Sequence, residues 1–264
     1  MQYGPYEHLI LEKKDGIARI TINRPDSLNA LHPDTHRQLQ DVLQKLDLDP
    51  EVKVLIITGK GRAFCTGADL KHISTLVGKP AEIVAYGQLF HDTNYIIEHM
   101  AKVVIAMING LCLAGGIELM EACDLAYASD DARIGDQHAA FGLVPTGGGS
   151  QRLPRLIPLR KAKELLLTGD WLTAKEAEQW GLINKAVPAD NLEETVMAVA
   201  NKLKERSTMA SKFIKYEVNR GMQVDLYTGV ELEKAASMAH FQTEDSKEGI
   251  KAFMEKRKPN FPGR

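Results

Sequence analysis

Cysteine is scarce. The 264 residues hold three, Cys65, Cys112 and Cys123, widely spaced and without a Cys-x-x-Cys pair. Zinc ribbons and thioredoxin-type redox motifs therefore have no support, and no metal site is expected. The low count suits a reducing compartment, so a cytoplasmic location is expected. An excess of one charge sign is also missing: 33 Lys and Arg stand against 35 Asp and Glu, a net charge of −2. Nucleic acid would need a local basic patch, and the cluster Lys251, Lys256, Arg257 and Lys258 is too short to supply one. Long apolar runs are lacking too. The most apolar stretch, Val103 to Ile117, is broken by Asn109 and three glycines and is too short to span a bilayer. The opening residues, Met1 to His8, have neither a basic start nor an apolar run, so no signal peptide is expected. Neither nucleic acid nor membrane is an expected partner.

The common catalytic signatures are missing as well. There is no Gly-x-x-x-x-Gly-Lys-Ser/Thr phosphate loop and no Gly-x-Ser-x-Gly nucleophile elbow. His32 and His36 are four apart, but Pro33-Asp34-Thr35 lacks the glutamate of a metalloprotease helix. The run Gly147-Gly148-Gly149 fits either an anion cradle or a tight turn.

What is present is an ordinary soluble composition, 44% hydrophobic and 26% charged. That excludes wholesale disorder, collagen and coiled coil. The length suffices for one large domain, or a domain with an appendage, without metal or disulfide staples. Strand and helix signals alternate in the first half. Ile17–Ile22, Val52–Thr58, Val103–Ile108 and Leu125–Ala128 read as strands. A helix capped by Asp34 is expected to Leu46, with Leu39, Val42, Leu43 and Leu46 on one face. A long helix is expected over Ala81–His99, and Gly61–Asp69 reads as a loop. After Gly149 the chain is mostly helical, with candidates at 160–168, 173–180, 191–205, 209–221, 226–240 and 246–258. Thr173-Ala174-Lys175-Glu176 has the capping-box pattern. The reading is an α/β core to about residue 200 followed by a helical region over 201–264.

One segment suggests chemistry. In Asn109-Gly110-Leu111-Cys112-Leu113-Ala114-Gly115-Gly116-Ile117-Glu118 a strand ends, glycines turn the backbone, and a short helix begins. The first amides of that helix lack intrahelical partners and sit at the positive end of its dipole, where they can hold an oxyanion or carbonyl oxygen. Glu118 follows one turn later. A packing turn with a dipole-complementing acid fits the same residues, and the segment alone leaves both open.

Taken along the whole chain, the pattern resembles the crotonase (enoyl-CoA hydratase/isomerase) family. Arg24–Leu31 is similar to its early CoA-binding segment. Ala63-Phe64-Cys65-Thr66-Gly67-Ala68-Asp69-Leu70-Lys71 resembles the loop bearing the first oxyanion amide, and Asn109–Asp124 the second. Pro145–Leu153, Leu167–Asp170 with Ala177–Leu182, and Phe253–Lys258 continue in order. The resemblance implies a spiral of ββα repeats, a C-terminal helical region that trimerises or forms a dimer of trimers, and acyl-CoA thioester substrates. CoA is then part of the substrate, and no separate cofactor is implied. The oxyanion donors would be the backbone amides of Ala68 and Gly115. CoA contacts would fall on Arg24, Leu28, Thr66, Gly67, Asp69, Leu70, Lys71 and Gly116, with Phe253 and Lys256 reaching a neighbouring subunit's site. Asp26 stands where a phosphate-binding lysine is common, and Arg24 is the candidate substitute.

The reaction is not fixed by the family. Its hydratases use two glutamates; one matches Glu118, and the other falls at His138. Histidine titrates near neutrality and can do acid–base work there, with Asp136 placed to hold one tautomer. His138 also fits a pocket-wall residue. Hydration of a 2-enoyl-CoA in acyl-CoA degradation is the leading reading. Double-bond isomerisation, thioester or ring-cleaving hydrolysis, and a catalytically degenerate CoA-binding protein are the alternatives. His91 matches an acid–base histidine of the dehalogenase branch, but Thr146 occupies the position of that branch's aspartate nucleophile. His91 is therefore expected to be a partly exposed helix residue, or to line the acyl pocket. Asp124 is expected to cap the buried helix and tie down backbone, and the 73–80 loop to shape the acyl pocket.

Overall fold

The computed structural model describes residues 2–264. Its strands are β1 (Leu9–Lys14), β2 (Ile17–Ile22), β3 (Val54–Gly59), β4 (Ala63–Cys65), β5 (Val103–Ile108), β6 (Leu111–Leu113), β7 (Leu125–Ser129), β8 (Arg133–Gly135), β9 (Leu172–Thr173) and β10 (Lys185–Val187). The helices are α1 (Pro33–Leu48), α2 (Leu70–Thr75), α3 (Pro80–His99), α4 (Gly115–Glu121), α5 (Gly149–Leu156), α6 (Leu159–Thr168), α7 (Ala174–Trp180), α8 (Ala189–Leu203), α9 (Thr208–Gly221), α10 (Leu226–His240) and α11 (Glu244–Met254).

Two mixed sheets result. The larger runs β1-β2-β3-β5-β7-β10 and is parallel except for the β1–β2 hairpin. The smaller runs β4-β6-β8-β9, with β8–β9 antiparallel. Consecutive strand pairs β3/β4, β5/β6 and β7/β8 each place their first strand in the large sheet and their second in the small one. This is the spiral of ββα turns that the resemblance implied. Strand β3 is buried at every position, as a central parallel strand covered on both faces must be.

Helix α1 lays Leu39, Val42, Leu43 and Leu46 against the sheet, each wholly buried; each such side chain stabilises by about 1.5–3 kcal/mol. Its cap differs from expectation. Pro33 opens the helix and His32 caps it, Nδ1 accepting from the Asp34 amide at 3.2 Å. Proline suits the first helical position because its missing N–H would be unpaired there anyway. The Thr173–Glu176 capping box forms in full. Helix α8 covers the other face of the large sheet through Leu192, Val196 and Ala200, against Ile17, Val54, Ile56, Ile105 and Met107.

Several short elements escape periodicity, among them β4 within the expected loop, β6, β8, β9, β10, α2, and α5, which opens on the last residue of the glycine run. Asp124 also differs from expectation. It does not cap α4, whose C-terminal cap is Ala122. Its Oδ2 accepts from the Val104 amide at 2.7 Å and from Lys215 Nζ at 2.9 Å. Lys215 donates further to the carbonyls of Ile97 and Lys102, at 3.1 and 3.0 Å. A single buried ammonium thus pins α9 to α3 and to the start of β5. Removing one member of a buried ion pair strands the other. Lys215→Met is expected to lower the unfolding free energy by about 3–5 kcal/mol in urea titration. A loss below about 1 kcal/mol would show that the pin carries little.

Candidate active site

The smaller sheet delivers two loops to one place. After β4 the chain turns through Gly67, at φ +89°. The Gly67 carbonyl accepts from the Leu31 amide at 2.7 Å. On the other side of Ala68, the Asp69 amide donates to Tyr86 Oη at 3.0 Å, and that hydroxyl donates to the Leu31 carbonyl at 2.5 Å. Ala68 is thus fixed from both flanks, while its own N–H has no partner among the described residues.

After β6 the chain passes through Ala114, at φ 49° and ψ −120°. This is a strained conformation for a residue with a side chain, and such strain concentrates at functional sites. The Ala114 amide donates to the Gly135 carbonyl at 3.0 Å, and its carbonyl accepts from Ile117 and Glu118. Gly115 then opens α4 with its N–H unpaired, as the first helical amides must be.

The two loops touch. A Cβ on Gly67 would lie 2.5 Å from the Gly115 nitrogen, and one on Gly115 would lie 2.6 Å from Phe90 Cε1. Glycine is required at both positions for the amides to converge. Gly116 is pressed as tightly against the Cys65 carbonyl, which a Cβ would meet at 2.1 Å.

Two carboxyl-linked groups flank this pair. Glu118 is 1% exposed. Its Oε1 accepts from the amides of Gly147 and Gly149 at 2.8 and 2.9 Å, and its buried Oε2 has no partner among the described residues. The glycine run does cradle an anion, and that anion is the chain's own glutamate. Burial pushes the Glu118 carboxyl above its ordinary value, opposed by the Gly149 and Gly147 hydrogen bonds and by His138. His138 presents Nδ1 at 2.9 Å from both oxygens of the buried Asp136, whose Oδ1 also accepts the His138 amide at 3.1 Å. Burial alone would push the imidazole down. The hydrogen bond and charge of Asp136, with the charge of Glu118, outweigh it and hold the imidazole above its ordinary value. Nδ1 is committed to Asp136, so Nε2 is the nitrogen free to meet a ligand.

His138 and Ala68 line a cavity of about 420 Å³, with Leu28, Ala30, Leu111, Leu113, Ala114, Phe141 and Leu143 as its apolar wall. Thr66, Asp69, Leu70 and Lys71 line it too, beside Asp26 and Ser27. Glu118 is not among the lining residues, and its link to the cavity is its charge interaction with His138. Phe141 and Leu143 are among the residues lining this cavity, and residues 73–80 are not. Arg24 does not reach the cavity. Its Nη1 donates to the Ala30 carbonyl at 2.5 Å and its Nη2 to Asp69 at 2.8 Å, so it braces the loop that carries Ala68. Phe253 is 82% exposed and Lys256 is exposed, both away from this cavity. His91 is exposed on α3, outside the cavity wall.

A carbonyl oxygen placed between two fixed N–H groups, with a buried carboxylate and a carboxylate-backed imidazole beside it, is the layout of enolate chemistry on a thioester. The family model for enoyl-CoA hydratase/isomerase matches residues 12–264. The chain belongs to the enoyl-CoA hydratase/isomerase (crotonase) family. It is 40% identical over 257 residues to the crotonyl-CoA hydratase of Syntrophomonas wolfei, covering 97% of this chain and 98% of that one. It is 39% identical over 255 residues to the short-chain-enoyl-CoA hydratase of Clostridium acetobutylicum, covering 95% and 96%. Its fold matches the crystal structure of an enoyl-CoA hydratase from Bacillus anthracis with a TM-score of 0.91 and 36% identity, over 98% of this chain and all of that one. This crotonase-family member is an enoyl-CoA hydratase-like enzyme. No described helix is long and apolar enough to cross a membrane.

Substituting Gly67 tests the convergence of the amides. In Gly67→Ala the new methyl must displace the Gly115 nitrogen, so thioester turnover is expected to fall about 10²–10³-fold, the cost of losing one such donor. A wild-type rate in a folded variant would contradict the geometry.

Proposed function

We propose that this protein adds water across the 2,3 double bond of a 2-enoyl-CoA. The observation carrying the reading is the convergence of two unpaired amides close to Glu118 and the Asp136-backed His138. In this reading the thioester oxygen accepts from the amides of Ala68 and Gly115, which draws electron density from C3. Glu118 Oε2, left free by the backbone grip on Oε1, takes a proton from water as its oxygen bonds to C3. The electron pair of the double bond passes into the enolate, held by the two amides. His138, as imidazolium, gives its Nε2 proton to C2. Exchange with solvent resets both groups before the next turnover. The relatives named as hydratases support the reaction, and the smooth apolar wall suits a short acyl chain.

A second reading rests on one observation. An imidazole oriented by a carboxylate is also a general base able to drive water onto a thioester carbonyl, which would release CoA.

The exposed apolar side chains of α9 and α10 and of the turn between them, among them Ile214, Val218, Met222, Leu226, Tyr227 and Met238, support a C-terminal oligomerisation region. The assembly would be a trimer or dimer of trimers. Phe253 and Lys256 would then contact CoA in a neighbouring subunit, and Lys71 would contact it in its own.

Mass spectrometry of crotonyl-CoA after incubation tests the reaction. An ester heavier by one water is the expected product, whereas free CoA would establish hydrolysis and unchanged ester would remove both readings. Glu118→Gln is expected to abolish most turnover, and His138→Ala to cost at least about tenfold with CoA-ester binding nearly unchanged.

The pH dependence follows from the two raised groups. Glu118 must be ionised, so the rate falls as pH drops through its raised value. His138 must be protonated, so the rate falls as pH rises through its own raised value. Asp136→Asn removes the main upward influence on His138, and the alkaline fall should move to lower pH. An alkaline limb unmoved in Asp136→Asn would remove His138 from the acid role.

A further inference from the structure

Glu118 is gripped by the amides of Gly147 and Gly149, and that grip has its own support. The Gly147 carbonyl, on the far side of the same turn, accepts from Arg152 Nη1 at 2.8 Å and from Asn94 Nδ2 at 3.0 Å. Arg152 is in turn held by Glu98 through a two-pronged pair, Nε to Oε1 at 2.7 Å and Nη2 to Oε2 at 3.0 Å. The turn leaves no slack around the guanidinium. A Cβ on Gly148, whose φ is +107°, would lie 2.0 Å from Arg152 Nη1, and one on Gly147 would lie 2.4 Å from Glu118 Oε2. The pair is mostly sheltered, with side chains 20% and 26% exposed.

We infer that Arg152, locked by Glu98, is a positioning residue for Glu118 that acts through the Gly147–Gly149 turn. This deepens the proposed function and rests on Glu118 being its base. A planar fork can meet a carboxylate edge-on with two nitrogens and still direct the third at a carbonyl; a lysine ammonium lacks that fixed geometry. With Arg152 in place the Gly147 and Gly149 N–H groups point at Oε1, and Oε2 is left without a partner among the described residues. Without it the turn can rotate, and the carboxylate loses donors that favour its charged form.

The groups that face Glu118 are few. They are Glu121 on its own helix, His138 and Asp136 from the turn after β8, the two glycine amides, and Arg152 from α5. Glu121 is buried, neither of its oxygens has a partner among the described residues, and burial pushes its carboxyl well above its ordinary value.

The test is a titration of the Glu118 carboxyl by difference infrared spectroscopy, its band identified by loss in Glu118→Gln, in wild type and in variants of Arg152 and Glu98. This readout does not depend on turnover, so it stays informative even where hydration of crotonyl-CoA fails. In Arg152→Gln the carboxyl should titrate at higher pH than in wild type. The kcat should drop about tenfold to a hundredfold with KM nearly unchanged, as for a displaced catalytic group. Arg152→Lys keeps the charge and loses the fork, and should shift in the same direction. Glu98→Gln keeps Arg152 and loosens it, and should give a smaller shift of the same sign, which serves where Arg152→Gln does not fold. A wild-type titration in Arg152→Lys would make Arg152 a bare charge and overturn the inference. So would a folded Arg152→Gln whose Glu118 titrates unchanged.

Discussion

Two backbone amides can polarise one carbonyl oxygen only where the chains carrying them approach more closely than side chains allow. In this fold Gly67 and Gly115 make that approach, and much of the surrounding structure serves it. The small sheet brings β4 and β6 side by side in parallel, so both loops leave from the same edge. Leu31, Tyr86 and the Arg24–Asp69 pair fix the first loop. The strained Ala114, tied to Gly135, fixes the second. The N–H groups of Ala68 and Gly115 have no partner among the described residues. An unpaired buried donor is costly to folding, and here the cost is retained where a ligand oxygen would recover it.

The two titratable groups at this point are held in different ways, and the proposed hydration gives them different tasks. Glu118 is surrounded by backbone amides and apolar matter. It has one oxygen bound and one free, and burial biases it toward accepting a proton. His138 is backed by a carboxylate and biased toward keeping one. Both groups are raised above their ordinary values by different means, and the proposed hydration uses the first as base and the second as acid. A second glutamate at position 138 would need to be protonated to give a proton to carbon. An imidazolium can give one near neutrality, which is how the substitution remains compatible with hydration.

Much of this was legible in the sequence, and the illegible parts have physical reasons. The buried strands and the amphipathic helices announced themselves by period, because one or both faces must be apolar. The segment ending at Glu118 was readable as a strand, a glycine turn and a helix start, though residues alone could not separate an oxyanion site from a packing turn. Short elements such as Ala63–Cys65 and Gly149–Leu156 carry too few residues for a period to form. The role of Gly147 and Gly149 depends on a contact some thirty residues away in sequence. Nothing local records that their anion is Glu118. Arg24 has a partner that residues alone do not reveal. A basic residue in a CoA-type segment suggests a phosphate contact, and nothing local records that the fold pairs its guanidinium with Asp69.

The measurement closest to the centre of this account is the carbonyl stretching frequency of a thioester bound to the protein. Raman or difference infrared spectra of carbonyl-labelled crotonyl-CoA on the slow Glu118→Gln variant would report the two amides directly. The account predicts a carbonyl band well below that of the free ester, because both N–H groups bond the oxygen before any chemistry occurs. A bound ester whose carbonyl vibrates as it does in water would contradict it.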